Sequence, residues 1–235
     1  MGFKLQSYFK SLIGLIYPDL CIACVKDSPI KGDDFCISCF ADLPLTTHMS
    51  VEDNDFVYHF YGRVPIVHGA ALLNFYKENM VNTMLYRLKY DHKKRVGERL
   101  GKMLATEILK SSFFKDIEVI IPVPIHMKKK IRRGYNQSSI IANAMSKELG
   151  IPVLHDVLIK EEETLTQTKK TRSERTLDLL ATLGLKNPDR LKGKHILVVD
   201  DVMTTGATLE ACVLRLKEIE GTTFSLATLA ITKTI

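Results

Sequence analysis

The 235 residues have room for one ordinary domain plus a small appendage, or for two small domains. A hydrophobic fraction of 46% and a charged fraction of 26% are those of a soluble globular protein, with no internal repeat or low-complexity tract. Lys and Arg outnumber Asp and Glu by 33 to 27, a net charge of +6 that leans only weakly toward anionic partners, because a modest positive charge also serves solubility.

At the N-terminus, Leu5, Phe9, Leu12, Ile13 and Ile16 recur at helical spacing before Pro18, which predicts an amphipathic helix docked on the protein itself. Its apolar run is too short for a signal peptide, and no segment reaches the length of a transmembrane helix. A cytoplasmic protein is expected. Next come two Cys-x-x-Cys pairs, Cys21 with Cys24 and Cys36 with Cys39. Each can wrap two thiolates around one ion, and together they supply the tetrahedral set that Zn²⁺ prefers. Pro29, Gly32, Asp33 and Asp34 between them allow the chain to reverse. Two disulfides or a redox pair are the other readings. The first needs an oxidising compartment and the second needs no twin pair, so a closed structural zinc site is preferred. Cys212 sits at helical spacing with Leu209, Leu216 and Ile219 and reads as a core residue.

Residues 56–61 and 65–76 have the alternation and aromatic content of strands, and 81–90 and 95–110 the periodicity of helices. From there strands and helices alternate. Residues 117–123 form a strand, 136–149 a helix ended by Gly150, and 153–159 a strand. A polar stretch follows from 161 to about 175. Residues 194–200 are a nearly all-apolar strand, 207–220 a helix and 223–232 a last strand. This order predicts an α/β parallel sheet with flanking helices, its central strands buried on both faces.

The strand at 194–200 ends in Asp200 and Asp201 and runs through Val202, Met203, Thr204, Thr205, Gly206, Ala207 and Thr208 into a helix. Free amides at such a helix start can ring a phosphate, and the threonines add hydroxyl donors. Two carboxylates beside a phosphate cradle make sense if they hydrogen-bond sugar hydroxyls. The segment resembles the phosphoribosyl pyrophosphate (PRPP) motif of type I phosphoribosyltransferases. Further upstream, Pro122-Val123-Pro124 and Arg132-Arg133-Gly134-Tyr135-Asn136-Gln137 follow one another. The order of four-cysteine ribbon, Pro-Val-Pro turn, Arg-Gly-aromatic-Asn-Gln element and PRPP motif is similar to that of the ComF family, which includes the GntX-type proteins. The resemblance spans nearly the whole chain. It implies a zinc ribbon over 1–50 and a phosphoribosyltransferase-like domain over 51–235, with a variable hood from parts of 56–90 and 161–190.

The resemblance further implies that residues 123–127 form a pyrophosphate loop, with Pro122, Val123, Pro124, Arg133, Lys169 and Arg175 around the anion. For the basic run at 128–133, a solvated face and anion contact remain equally good readings. The family usually carries Asn a few residues after the arginine of its mobile loop. Here the chain has Thr176-Leu177-Asp178 after Arg175, which puts that position's role in doubt. If the chain is an enzyme, a nitrogen nucleophile displaces pyrophosphate from PRPP with Mg²⁺. Asp200 and Asp201 then hold the ribose, while Thr204, Thr205, Gly206, Ala207 and Thr208 anchor the 5′-phosphate. No motif identifies the acceptor. The other implied roles are handling of single-stranded DNA with competence machinery, or sensing of PRPP or a nucleotide without turnover. Basic runs and interleaved Tyr86 and Tyr90 are compatible with DNA, though core is the preferred reading of the aromatics.

Overall fold

A computed structural model describes residues 19–76, 79–161 and 171–233. The expected N-terminal helix lies outside these residues. In chain order the helices are α1 (Ile37–Ala41), α2 (Asp55–Tyr58), α3 (Met80–Tyr90), α4 (Lys94–Lys110), α5 (Met127–Arg133), α6 (Gln137–Leu149), α7 (Arg172–Ala181) and α8 (Ala207–Leu216). The strands are β1 (His68–Phe75), β2 (Val119–Pro122), β3 (Leu158–Lys160), β4 (Leu183–Leu185), β5 (His195–Met203) and β6 (Thr223–Thr232). Among the described residues, no helix is long and apolar enough to cross a membrane.

The main sheet is parallel, in the order β1-β6-β5-β2. A single parallel bridge from Ile120 to Val153 extends it past β2. From β2 the chain therefore crosses to one side at Val153 and later returns to the other side as β5. That reversal makes the gap beyond the carboxyl ends of β2 and β5 the topological switch point, where open α/β sheets bind ligands.

The alternation along β5 divides the core. Ile196 and Val198 join a cluster with Phe56, Phe60 and residues of α8, whereas Leu197 and Val199 join one with residues of α3, α4 and α6. The helices α4 and α6 cross closely at Gly101, where an added Cβ would stand 2.9 Å from the Ile141 carbonyl oxygen. The ribbon packs into the second cluster through Cys21, Ile22 and Phe35. Arg99 fixes it with a forked pair to Asp33 at 2.8 and 3.1 Å, and Arg87 donates to the Ile22 carbonyl at 2.8 Å.

Two expectations need correction. Residues 55–58 are helical, because buried Asn54 accepts from the Val57 amide at 3.0 Å and caps the turn. Phe56 and Phe60, both fully buried, follow helical rather than strand spacing. The run at 153–159 does not form one strand. Val153 makes only its bridge, the exposed His155 and Asp156 interrupt the apolar pattern, and β3 pairs antiparallel with β4 in a separate ribbon.

Candidate functional site

A cavity of about 520 Å³ opens at the switch point, within the usual range for small-molecule sites. Its shape follows from unequal strand lengths. The last pair of β2 sets Pro122 against Val199, and the Val123 amide donates to the Val199 carbonyl at 2.9 Å. The chain then turns away through Pro124, while β5 continues to Met203. Asp200 and Asp201 thus stand where the neighbouring strand has left.

Asp200 Oδ1 accepts from Ser138 Oγ and from the Asp201 amide, each at 2.8 Å. Asp201 is buried and pairs with Lys89 Nζ at 3.2 Å. Burial, then the charge of Asp201, pushes the Asp200 carboxyl up to about 7 against the opposing pull of the two hydrogen bonds and Lys89. Beyond them the loop 204–206 enters α8. Gly206 is the helix N-cap at φ +80°, a conformation that favours glycine, and a Cβ there would meet Arg172 Nη2 at 3.0 Å and the Phe60 ring at 3.2 Å. A smaller hollow of about 30 Å³, lined by Asp200 and residues of the loop including Thr204, Thr205, Gly206 and Thr208, sits against the helix start.

The Arg-Gly-Tyr-Asn-Gln element works as a bracket between α5 and α6. Gly134 ends α5 at φ +75°. Tyr135 is buried, and its hydroxyl donates to the Leu88 carbonyl at 2.6 Å. Asn136 caps α6 by accepting from the Ser138 amide, and donates to the Val123 carbonyl at 2.9 Å. The start of α6 is thereby held between the Pro-Val-Pro turn and the acidic pair.

Of the residues expected from sequence, Val123, Pro124, Arg133, Arg175, Asp200, Asp201, Thr204, Thr205, Ala207 and Thr208 line the one cavity. Pro122 ends β2 beneath it, Gly206 belongs to the adjoining hollow, and Lys169 lies outside the described residues. Lys89, Ser138, Lys160 and Asp178 also line the cavity and were given no role from sequence. The exposed Tyr86 and Tyr90 are not core residues; their rings stand 5.0 Å apart, and the Arg133 guanidinium lies 5.5 Å from the Tyr90 ring.

In the ribbon the Sγ atoms of Cys21, Cys24, Cys36 and Cys39 all lie within 4.8 Å of one another. Thiolates around one tetrahedral Zn²⁺ stand about 3.8 Å apart, and Cys24 and Cys36 are at 4.0 Å. The set is placed to bind a metal, and soft sulfur ligands on a closed site suit zinc. Burial opposes ionisation of Cys21, yet backbone N–H groups of Cys24, Cys36 and Ala23 bring it down to about 7, while burial and the neighbouring thiols push Cys39 up. Cys212 is buried in α8 with a thiol pushed up by burial, as befits a core residue.

Residues 136–233 match the phosphoribosyl transferase domain. They comprise α6, the acidic pair, the threonine loop and β6. Competence protein F of Haemophilus influenzae is 28% identical over 133 residues, 55% of this chain and 58% of its own length. The chain is similar to this competence protein over that stretch. The DNA utilization protein YhgH of Escherichia coli K12 is 28% identical over 137 residues, 55% of this chain and 57% of its own. The match to these ComF-type relatives thus spans little more than half of their length. Purine phosphoribosyltransferase from Pyrococcus horikoshii covers 59% of this chain and 77% of its own at 22% identity, with a TM-score of 0.38. The parallel sheet with flanking helices and the domain match identify a phosphoribosyltransferase-like fold carrying an N-terminal four-cysteine cluster.

Proposed function

We propose that the cavity binds PRPP with Mg²⁺, and that the protein transfers the phosphoribosyl group to a nitrogen acceptor with release of pyrophosphate. The observation that carries this reading is the convergence of the acidic pair, the threonine loop and the Pro-Val-Pro turn on one cavity at the switch point. Ribose hydroxyls donate to Asp200 and Asp201. The 5′-phosphate takes the amides and hydroxyls of Thr204, Thr205, Gly206, Ala207 and Thr208 at the positive end of α8. Pyrophosphate lies over the turn 123–127, near Arg133, with Arg175 and Lys169 contributed by the segment before and within α7. Hard carboxylate oxygens suit Mg²⁺, which supplies neutralisation of the leaving pyrophosphate. Arg133 holds negative charge at that end, while the acidic pair, with Lys89 on Asp201, tolerates the positive charge that grows on the ribose. Parts of 56–90 and 161–190 form the hood over the acceptor, and the tetrad holds a structural zinc. A zinc held by reduced thiols favours the cytoplasm.

Calorimetric titration with PRPP and Mg²⁺ tests the assignment. Binding by the wild type and its loss in the Asp200→Asn, Asp201→Asn double variant is the expected result; equal affinity in both sinks the ribose clamp. Release of pyrophosphate on adding amine acceptors separates an enzyme from a sensor.

A second reading is favoured by the exposed Tyr86–Tyr90 pair beside Arg133, Lys93 and Lys94. Stacked bases and phosphate contacts on that surface suit single-stranded DNA, and the relatives' names point toward competence. Fluorescence anisotropy with a labelled oligonucleotide on the Tyr86→Ala, Tyr90→Ala variant distinguishes it. DNA binding without PRPP binding would make the cavity a scaffold.

A further inference from the structure

We propose that Gln137, together with Arg133, forms a second anion subsite of the cavity that receives an oxygen of the pyrophosphate group. This rests on the PRPP reading for the identity of the full ligand, and makes the site selective for a sugar phosphate that carries a pyrophosphate as well.

Gln137 is the first residue of α6 and is only 1% exposed, yet it lines the cavity. Its Oε1 accepts from Arg133 Nη1 at 2.9 Å. A guanidinium only donates, so the carboxamide has one orientation, with oxygen toward Arg133 and Nε2 away from it. Among the described residues, neither Gln137 Nε2 nor Arg133 Nε has a hydrogen-bond partner, and both atoms are buried. Buried donors without acceptors are costly and uncommon. Two on adjacent, mutually bonded side chains at a cavity wall mark the place of a ligand acceptor.

The surroundings define that acceptor. Lys129 and Arg133 line the same cavity, to which the capped start of α6 brings its positive end. The carboxylates of the acidic pair face other partners, Ser138 for Asp200 and Lys89 for Asp201. An anionic phosphate oxygen answers two orphan donors and these charges together. The threonine loop of the same cavity carries its own donors on a different strand, β5.

The test uses the full chain and three probes, each with Mg²⁺: inorganic pyrophosphate, ribose 5-phosphate and PRPP. Gln137→Glu keeps an oxygen for Arg133 but replaces the orphan donor by an anionic acceptor that also repels an anion, so the neutral Gln137→Leu is the variant that separates loss of the donor from repulsion. Gln137→Leu removes both functions, and thermal unfolding of each variant reports on folding. The expected result is a fall of about tenfold or more in pyrophosphate and PRPP affinity for Gln137→Glu, with ribose 5-phosphate changed less than about twofold and a smaller loss in Gln137→Leu. The subsite is overturned if wild-type protein does not bind pyrophosphate, if either Gln137→Leu or Gln137→Glu binds it as well as wild type, or if ribose 5-phosphate falls equally. Gln137-dependent pyrophosphate binding with no binding of PRPP would overturn the proposed function and leave the subsite standing.

Discussion

Lys89 of α3 ends 3.2 Å from a carboxylate oxygen of Asp201, a residue 112 positions further along the chain and at the far end of β5. Its charge opposes the burial and repulsion that bring the Asp200 carboxyl up to about 7. A ligand that needs both carboxylates ionised should bind more tightly as pH rises toward 7, by at most about tenfold per unit, and level off above it. Calorimetry of PRPP binding between pH 5.5 and 8.5 checks this, and an affinity flat across that range would contradict it.

Removing the Lys89 charge leaves the two carboxylates to repel each other with less relief. Lys89→Met should move the midpoint of that pH profile upward. The readout is the midpoint rather than the affinity at one pH, so a change in packing alone would not reproduce it.

The same proton affects folding. Asp200 is raised above its unfolded value near 4, so the folded chain binds more protons between about pH 4 and about 7. Its contribution is most favourable below that window and is lost as pH rises through it. Asp200→Asn, which can still accept from Ser138, should therefore raise the melting temperature at pH 8, with the gain fading toward pH 4. Differential scanning calorimetry at the two pH values measures the difference.

A methyl group on Gly206 would press on Arg172 Nη2 at 3.0 Å and Phe60 at 3.2 Å; the residue holds φ at +80° beside Arg172, which pairs with buried Glu210 at 3.0 Å and donates to the His59 carbonyl at 2.7 Å. Gly206→Ala should cost about 1–2 kcal/mol in stability from the backbone alone. Phosphate-ester binding should fall further than that, because Arg172 and Phe60 must move from beside the loop. Chemical denaturation and titration of the same sample give both numbers.

Chelation should lower the melting temperature by well over 5 °C, since a structural metal contributes directly to folding free energy. Metal analysis should find about one zinc per chain, lost in Cys36→Ser. A metal-free chain of unchanged stability would remove the tetrad from any structural role.

The sheet and the loop that lines one end of the cavity were legible because their signals are local. A run such as Ile196 to Val199 marks a strand covered on both faces, and the hydroxyl-rich loop follows directly in sequence. The Cys pairs were legible from spacing. Lys89, Ser138 and Asp178 were not, because a lysine on an amphipathic helix or a serine one step inside an N-cap looks the same whether or not a distant carboxylate waits for it. Residues 56–61 misled through their aromatic content, although the four-residue step from Phe56 to Phe60 and the capping Asn54 carried the helical signal.

The ribbon has a consequence beyond its own fold. Its Ile22 carbonyl holds Arg87, two residues before Lys89, and its Phe35 shares an apolar cluster with α3, α4 and α6. The knot of sulfur is thus a foundation laid under the helix that faces the acidic pair, rather than an ornament at the edge. If the four cysteines hold a metal, its loss should reach the cavity as loosened masonry, with Lys89 drifting off Asp201 while every residue that lines the cavity was still in the chain.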